Sequence, residues 1–474
     1  MATVATRPRE ETTLPLLAVG LGLVVAGLQW TLGIELSAVL VVGLAGLALV
    51  LSRPELGVLF LLSSFLYTYP PWLVNAGPVS LNNALGGLLA LVLFYRSART
   101  GDWSYLKRPE VLLLGAITGI GLFSRFLNPF DELTRSLVGE LERRGQDPAD
   151  ILFGRFAFFV LFVAFVRDRR YAYAAFVLAI VLFVASGLAG IVRVLGGEGF
   201  AGYRANWGLF VAAAGNPNRL ALFCIIAILA LRYLWQSRPG FPTGVSALVL
   251  TPLLVLAVFM TASRSGVAGL ALAGLLLFFE GGVSVKKLLA GATVVVLAFP
   301  LVANLVPERS LERLSVLPGT GREADPLGGG SIERRGYGLQ VALDLAERNP
   351  LIGVGVGNWE VVRYLRDPAR YVAPPHSSYL AALAEGGILS LVLYLVLFAR
   401  TLRNYNEAER AVEARAVRDA WLFLWTVRTL RTGFVVFLAF SLVGDLWRVI
   451  IFHWFIGLSV VLQRSVCEEG GARR

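Results

Sequence analysis

The chain has 474 residues, of which 56% are hydrophobic and 16% charged, and its formal net charge is +11. Apolar runs of about 17 to 20 residues recur along it, as in polytopic membrane proteins. A β-barrel is excluded because barrel strands would alternate polar and apolar residues, so the predicted fold class is all-α. The positive charge does not indicate a nucleic acid partner, because the basic residues cluster in short loops between the apolar runs.

In chain order, the apolar runs predict about fourteen membrane spans, or twelve if the least regular runs do not cross the bilayer. The first run follows a mixed-charge leader without a small-residue cleavage site, which favours a retained helix over a signal peptide. The predicted spans lie near 14–30, 34–51, 56–70, 80–95, 110–125, 151–166, 172–192, 218–235, 246–262, 266–280, 288–306, 379–399, 432–447 and 449–463.

The positions of Lys and Arg predict the orientation of these spans. With the basic N-terminus in the cytoplasm, the other strongly basic loops fall on the same side, as the positive-inside rule requires. Three segments then face outward: 194–217, the turn around Arg264, and 307–378. The predicted regions are N-terminal helices (1–193), helices with arginine-bearing outer loops (194–306), one large outer loop (307–378), and C-terminal helices with a basic cytoplasmic linker at 400–431 (379–474).

The outer loop 307–378 is longer than a connection requires, which indicates function or disorder. Its Gly- and Pro-rich first part, up to residue 330, is expected to be flexible. Apolar residues at helical spacing after Ser331 predict an amphipathic helix ending at Asn349–Pro350, and a second short helix ends near Arg366. The alternating glycines between them could suggest nucleotide binding, but no strand precedes them. A tight turn or close helix packing is therefore the preferred interpretation.

One of the two histidines, His376, lies where this loop enters the next apolar run. Pro374 and Pro375 stiffen the approach to it. Its position alone fits an interfacial anchor as well as a functional residue. The arginines expected on the same outer side favour a functional histidine.

Three outer arginines are candidates for binding an anion. Arg264 lies in a turn of small residues, Thr261–Gly266, that leaves space for a ligand, so an anion clamp is favoured over snorkelling to the interface. Arg204 and Arg219 lie in and just after the loop 194–217, where ordinary loop polarity explains each of them equally well. Together the three could bind a diphosphate, and the outer loops contain no His or carboxylate cluster that suggests a metal site.

Four further polar residues lie in or near apolar runs. Arg155 falls within a predicted span, where a charge costs at least about 2.5 kcal/mol, and is expected to face a polar cavity. Asp445 and Arg448, three residues apart, are expected to pair with each other. His453 is expected to be a satisfied core residue.

Several short motifs follow one another between roughly residues 200 and 395: Gly215–Asn218, the turn Ser263–Gly266, Asn349–Asn358, and His376–Gly387. In these motifs the chain resembles the O-antigen ligase and polymerase superfamily of bacterial membrane glycosyltransferases. It departs from that pattern at Ser377, where the family often has Asn.

The resemblance implies transfer of a glycan from undecaprenyl diphosphate to a hydroxyl of a glycan, lipid or protein. It implies no metal or other cofactor, and an active site on the periplasmic side of a bacterial inner membrane. His376 would be the base, and Arg264 and Arg204 would act on the diphosphate, although Arg219 competes with Arg204 for that role. The candidate substrate-binding residues are Arg219, Asn216, Asn218, Ser263, Ser265 and Tyr379.

The chemistry of the candidate residues agrees with such a reaction. Negative charge builds on the leaving phosphate, and preorganised cations stabilise it. An unperturbed imidazole, with a pKa of about 6.5, can accept the acceptor's proton near neutral pH. Two alternatives stay open: a polysaccharide polymerase of the same superfamily, and a non-enzymatic transporter or flippase of lipid-linked sugars.

Overall fold

The computed structural model describes residues 46–66, 81–130, 147–197, 216–282, 284–315, 331–366, 376–414 and 419–471. The chain divides into two compact units, Met1–Gly57 and Val58–Arg474. In the first unit, the described residues 46–52 form a helix, and α1 (Pro54–Leu66) begins at the end of this unit. All other described helices lie in the second unit.

Within the described ranges all regular structure is helical, which confirms the predicted all-α fold class. The helices that follow α1 are α2 (Leu81–Thr100), α3 (Pro109–Leu127), α4 (Pro148–Phe165), α5 (Arg169–Leu195), α6 (Pro217–Ser237), α7 (Phe241–Met260), α8 (Arg264–Phe279), α9 (Val285–Leu305), α10 (Glu308–Ser315), α11 (Ser331–Arg348), α12 (Asn358–Arg366), α13 (Ser378–Glu413), α14 (Ala420–Ser441) and α15 (Ile450–Gly471). A short 3₁₀ helix, Ser104–Lys107, precedes α3.

Among the described helices, 8 are long and apolar enough to cross a membrane, namely α3 to α7, α9, α13 and α14. Shorter apolar helices are α1, α8 and Ile450–Val466 of α15. The protein is therefore a multi-pass membrane protein, as predicted. The predicted span 14–30 and most of 34–51 lie outside the described residues. Helix α2 coincides with the predicted span 80–95 but is too polar to join this set.

The C-terminal prediction is wrong in its boundaries. The supposed basic linker 400–431 is largely helical, because α13 continues to Glu413 and α14 already begins at Ala420. Arg428 lies within α14 and donates to Glu409 of α13 at 2.7 Å. Hydropathy alone treats these arginines as loop residues, so the predicted span began too late in the sequence. In the structure they lie within helices because carboxylates on a neighbouring helix compensate their charge.

Three of the basic segments predicted to share one side of the membrane meet in the structure. Arg167 pairs with Asp102 at 2.8 Å, and Arg400 of α13 pairs with Glu110 at the start of α3 at 3.0 Å. Arg464 of α15 reaches the carbonyl of Val166 at 2.8 Å. We call this end of the bundle, formed by residues 102–110, 166–170, 400–413 and 463–464, the basic face.

The two helices predicted within the segment 307–378 are confirmed as α11 and α12. Ala342 and Leu345 of α11 and Trp359 of α12 pack in one apolar cluster with Ala384 of α13. This cluster holds the amphipathic helices against the first turns of α13, at the end of the bundle opposite the basic face. Helix α10 was not predicted, and the loop part expected to be flexible, 316–330, lies outside the described residues.

Candidate functional site

Helix α13 is interrupted in its third turn, and the loop before α12 fills the interruption. Gly387 has a non-helical backbone with φ of 67°, so that Ile388 N–H donates to Pro350 O at 2.8 Å. On the other side of the break, Val354 N–H donates to Ala384 O at 2.9 Å. A Cβ on Gly387 would lie 2.3 Å from the carbonyl oxygen of Leu351, so only glycine fits here.

The alternating glycines of this loop allow equally close backbone contacts. Gly355 has φ of 94°, and a Cβ on it would lie 2.3 Å from the backbone of Arg125 on α3. Its N–H donates to Glu385 O at 2.8 Å. Arg125 itself is held by an ion pair with Asp147 at 2.5 Å. The interpretation of these glycines as a device for tight turns and close packing is confirmed.

A buried carboxylate, Glu385, connects this loop to the segment before α15. Its side chain is 1% exposed, and it accepts from Gly357 N–H at 3.0 Å and from the guanidinium of Arg448. Glu360 of α12, also 1% exposed, lies 3.9 Å from Arg448. Burial alone would lower the pKa of Arg448, but attraction by Glu385, Asp445 and Glu360 outweighs it and holds that pKa above its ordinary value.

Asp445 attracts Arg448, in agreement with the predicted pairing of these two residues. Arg448 also forms ion pairs with Glu360 and Glu385. Sequence reasoning missed both glutamates. The available signal was Glu385 itself, a charge within the predicted span 379–399, where an ionisable residue requires a partner.

His376 is partly exposed and directly precedes the cap of α13. Its φ of 52° lies in the left-handed region, which is uncommon for residues other than glycine. Ser377 caps the helix by accepting from Leu380 N–H at 3.4 Å. Ser378 binds the segment before α15: its hydroxyl donates to Gly444 O at 3.0 Å and accepts from Leu446 N–H at 2.9 Å. His376 is therefore anchored beside the residues that flank Asp445.

The two arginine-bearing motifs also meet. Asn216 caps α6 by accepting from Asn218 N–H at 2.9 Å, and Ser263 caps α8 by accepting from Gly266 N–H at 2.9 Å. The Ser263 hydroxyl also donates to the side chain of Asn218 at 2.6 Å and lies 3.0 Å from that of Ser265. The capping residues of two helices are thus joined by one hydrogen-bond network.

Arg219 and Arg264 lie in the first turns of these joined helices. The N-terminus of a helix carries unsatisfied N–H groups and partial positive charge, which both favour anions. Arg219 is attracted by Asp445 and repelled by Arg155 of α4, so all three charges lie at the same end of the bundle. We call this end, formed by the first turns of α6, α8 and α13 and by residues 442–449, the site end.

The remaining predicted residues lie in different surroundings or outside the described residues. Arg204 lies outside the described residues. Tyr379 is partly buried and donates to the Leu438 carbonyl of α14 at 3.2 Å. The guanidinium of Arg155 lies 3.9 Å above the ring of Phe65. It therefore contacts a ring face, whereas the sequence predicted that it would face a polar cavity. His453 is fully buried, with Nδ1 3.3 Å from Val449 O, but its Nε2 has no hydrogen-bond partner in the described part of the chain.

Among the described residues, no group of three or more His, Cys, Asp or Glu side chains could hold a metal ion. The residues brought together at the site end are a histidine, several arginines, the carboxylate of Asp445 and helix N-termini. Their chemistry is that of an anion site with a nearby base.

Residues 247–395 match the family model described as O-antigen ligase. The matched segment contains Arg264, the loop helices α11 and α12, His376 and Glu385, but not Arg219. No curated protein matches the chain. The match confirms the predicted resemblance to the O-antigen ligase superfamily and implies a glycosyltransferase-type enzyme. Within this multi-pass membrane protein, the segment 247–395 is thus similar to the O-antigen ligase family.

Proposed function

We propose that the protein transfers a glycan from undecaprenyl diphosphate to an acceptor hydroxyl at the site end, without a metal ion. The observation that supports this most is that hydrogen bonds and electrostatic attraction bring the two arginines and the histidine segment to one end of the bundle. Ser263 binds Asn218 at 2.6 Å next to Arg264 and Arg219. Asp445 attracts Arg219, and both of its chain neighbours bind Ser378, two residues after His376.

The arginines would bind the diphosphate and stabilise the leaving group. As the bond between the anomeric carbon and the phosphate oxygen breaks, negative charge develops on that phosphate. Arg264 and Arg219, each beside a helix N-terminus, provide fixed positive charge for it. We favour Arg219 as the second arginine because its helix is hydrogen-bonded to that of Arg264.

His376 would act as the general base. The acceptor oxygen forms a bond to the anomeric carbon while its proton passes to the imidazole, and the lipid diphosphate leaves with the electrons of the broken bond. A single displacement of this kind inverts the anomeric centre. The left-handed backbone at His376 is consistent with this role, since strained backbone is concentrated at functional sites.

The helices α11 and α12 would cover the acceptor side. They pack on α13 directly after its first turns, and Glu360 of α12 lies 3.9 Å from Arg448 of the site end. A cover held this way excludes water and limits which acceptors reach the base. Because the basic face lies at the other end of the bundle, the positive-inside rule favours a periplasmic site in a bacterial inner membrane.

The test is reconstitution of the purified protein with an undecaprenyl-diphosphate-linked oligosaccharide and candidate acceptors. Transfer that is lost in His376→Ala and Arg264→Ala would support the proposal. Longer lipid-linked chains would identify a polymerase, and transfer to lipid or protein would identify a ligase.

A carrier would behave differently. It would show movement of the lipid across proteoliposomes without any new glycosidic bond, and deletion of 331–366 would leave that movement intact. Wild-type protein with this behaviour would contradict the proposed transferase.

A further inference from the structure

A polar cavity lies at the basic face, at the other end of the bundle from His376. Its volume is about 200 Å³, and it lies between the N-terminus of α3, the middle of α13 and the end of α15. Its charged and polar lining includes Arg108, Arg400, Arg403, Glu110, Glu407 and Asn404.

The inner wall of this cavity is fixed by buried polar groups. Glu110 is 3% exposed and accepts from Arg400 Nε and from Asn404 Nδ2, each at 3.0 Å. Asn404, itself 5% exposed, also donates to Ser459 at 3.3 Å. These bonds hold three helices together around the cavity, so its shape does not depend on a ligand.

The outer wall of the cavity carries an exposed ion pair that can exchange partners. The side chain of Arg403 is 74% exposed and pairs with Glu407 at 2.6 Å within one turn of α13. Such an exposed pair contributes little, at most about 1 kcal/mol, so Arg403 can turn to a ligand at small cost. The three arginines and two glutamates of the lining leave one net positive charge, which matches the single negative charge of a phosphodiester.

The depth of the cavity favours a lipid as the source of that phosphodiester. From Ser378 to Arg400, α13 would rise about 33 Å without the break at Gly387, close to the roughly 30 Å thickness of the hydrocarbon core. The cavity therefore lies at the headgroup level of the leaflet opposite His376. Val396 and Val392, 43% and 48% exposed, lie one and two turns from Arg400 on the same face of α13. They offer an exposed apolar surface for an acyl chain on the side of α13 that carries Arg400.

We propose that this cavity binds the phosphodiester headgroup of a membrane phospholipid. Arg403 and Arg108 bind the phosphate oxygens, and one acyl chain lies along Val396 and Val392. This site is independent of glycan transfer, so its test does not depend on the function proposed above.

The test measures binding to the purified full chain in detergent. The probes are a short-chain phosphatidylglycerol, a diacylglycerol with the same chains but no phosphodiester, and inorganic phosphate. Binding is followed by the rise in Tm with probe concentration, which a ligand of the folded state produces by mass action. Arg403→Gln removes a cavity arginine. Arg410→Gln removes an exposed arginine of the same helix that does not line the cavity, and serves as the matched control.

We expect phosphatidylglycerol to raise Tm, and Arg403→Gln to weaken its apparent Kd about tenfold, the loss of one charge-assisted hydrogen bond. Arg410→Gln should bind like the wild type. Equal stabilisation by diacylglycerol, or equal loss in both variants, would overturn the proposal. Saturation by inorganic phosphate at comparable concentration would overturn the assignment to a lipid.

Discussion

Ser263 donates a hydrogen bond to Asn218 at 2.6 Å and thereby joins the N-termini of α8 and α6. Arg264 and Arg219 follow these two residues directly. Their backbone is held in place because both helices are capped. Two guanidinium groups from distant parts of the sequence are thus brought to one end of the bundle. Preorganisation of this kind matters most where charge develops during a reaction.

Loss of this hydrogen bond should reduce glycan transfer more than stability. In Asn218→Ala the Ser263 hydroxyl loses its acceptor, which should cost about 1 kcal/mol of unfolding free energy. A shift of the arginines should lower kcat/KM by about tenfold or more. Ser246→Ala, which removes an exposed hydroxyl bonded within α7, is the control and should leave both quantities unchanged. Wild-type kcat/KM in Asn218→Ala would show that the caps do not position the arginines.

Replacement of His376 by Asn separates its chemistry from its backbone. Asn tolerates the left-handed region better than most residues, so His376→Asn should fold with a Tm close to that of the wild type. It cannot act as a base, and kcat should fall by about 10² to 10⁴. His376→Ala should lose the same activity and also some stability. Transfer at the normal rate by a folded His376→Asn protein would remove the histidine from the mechanism.

Local patterns in the sequence predicted much of this structure. The apolar runs, the helices beginning at Ser331 and Asn358, and the glycine-dependent packing follow from composition and spacing over a few residues. The pairs that assemble the site do not, because Glu385 meets Arg448 and Ser263 meets Asn218 only after distant helices pack. The boundaries of α14 were missed for the same reason, since its arginines are stabilised by carboxylates on another helix.

The break in α13 should be essential for folding. Gly387→Ala places a Cβ at a φ of 67° and 2.3 Å from the Leu351 carbonyl, so the loop before α12 must move. We expect a loss of at least about 1–3 kcal/mol and a clear fall in Tm. Gly274→Ala, in α8 with no atom within 4 Å of the added Cβ, should be neutral or stabilising. Equal Tm values for the two variants would show that α13 can straighten without cost.

The basic face should lose a stabilising contact at low pH. Asp102 accepts from the Ser104 hydroxyl at 2.6 Å and from its N–H, and pairs with Arg167, which together hold the pKa of Asp102 at about 2. A lowered carboxyl pKa stabilises the fold above the unfolded value of 3.8, and this stabilisation is lost as the pH falls through about 2. The wild type should therefore have a higher Tm than Asp102→Asn at pH 5, and the difference should shrink toward pH 2. A difference that is constant with pH would contradict this assignment.

Neutralising Glu385 should weaken the connection between the cover helices, α11 and α12, and the site end. Glu385→Gln can still accept from Gly357 N–H, but it leaves the buried guanidinium of Arg448 with less compensating charge. We expect a loss of about 1–3 kcal/mol, less than for an isolated buried pair because Glu360 still attracts Arg448. Glu347→Gln on the exposed side of α11 is the control and should leave Tm and transfer unchanged. Glu385→Gln could lower Tm and still transfer glycan at the wild-type rate well below its Tm. That result would show that Glu385 has only a structural role and that α11 and α12 cover the acceptor side without it.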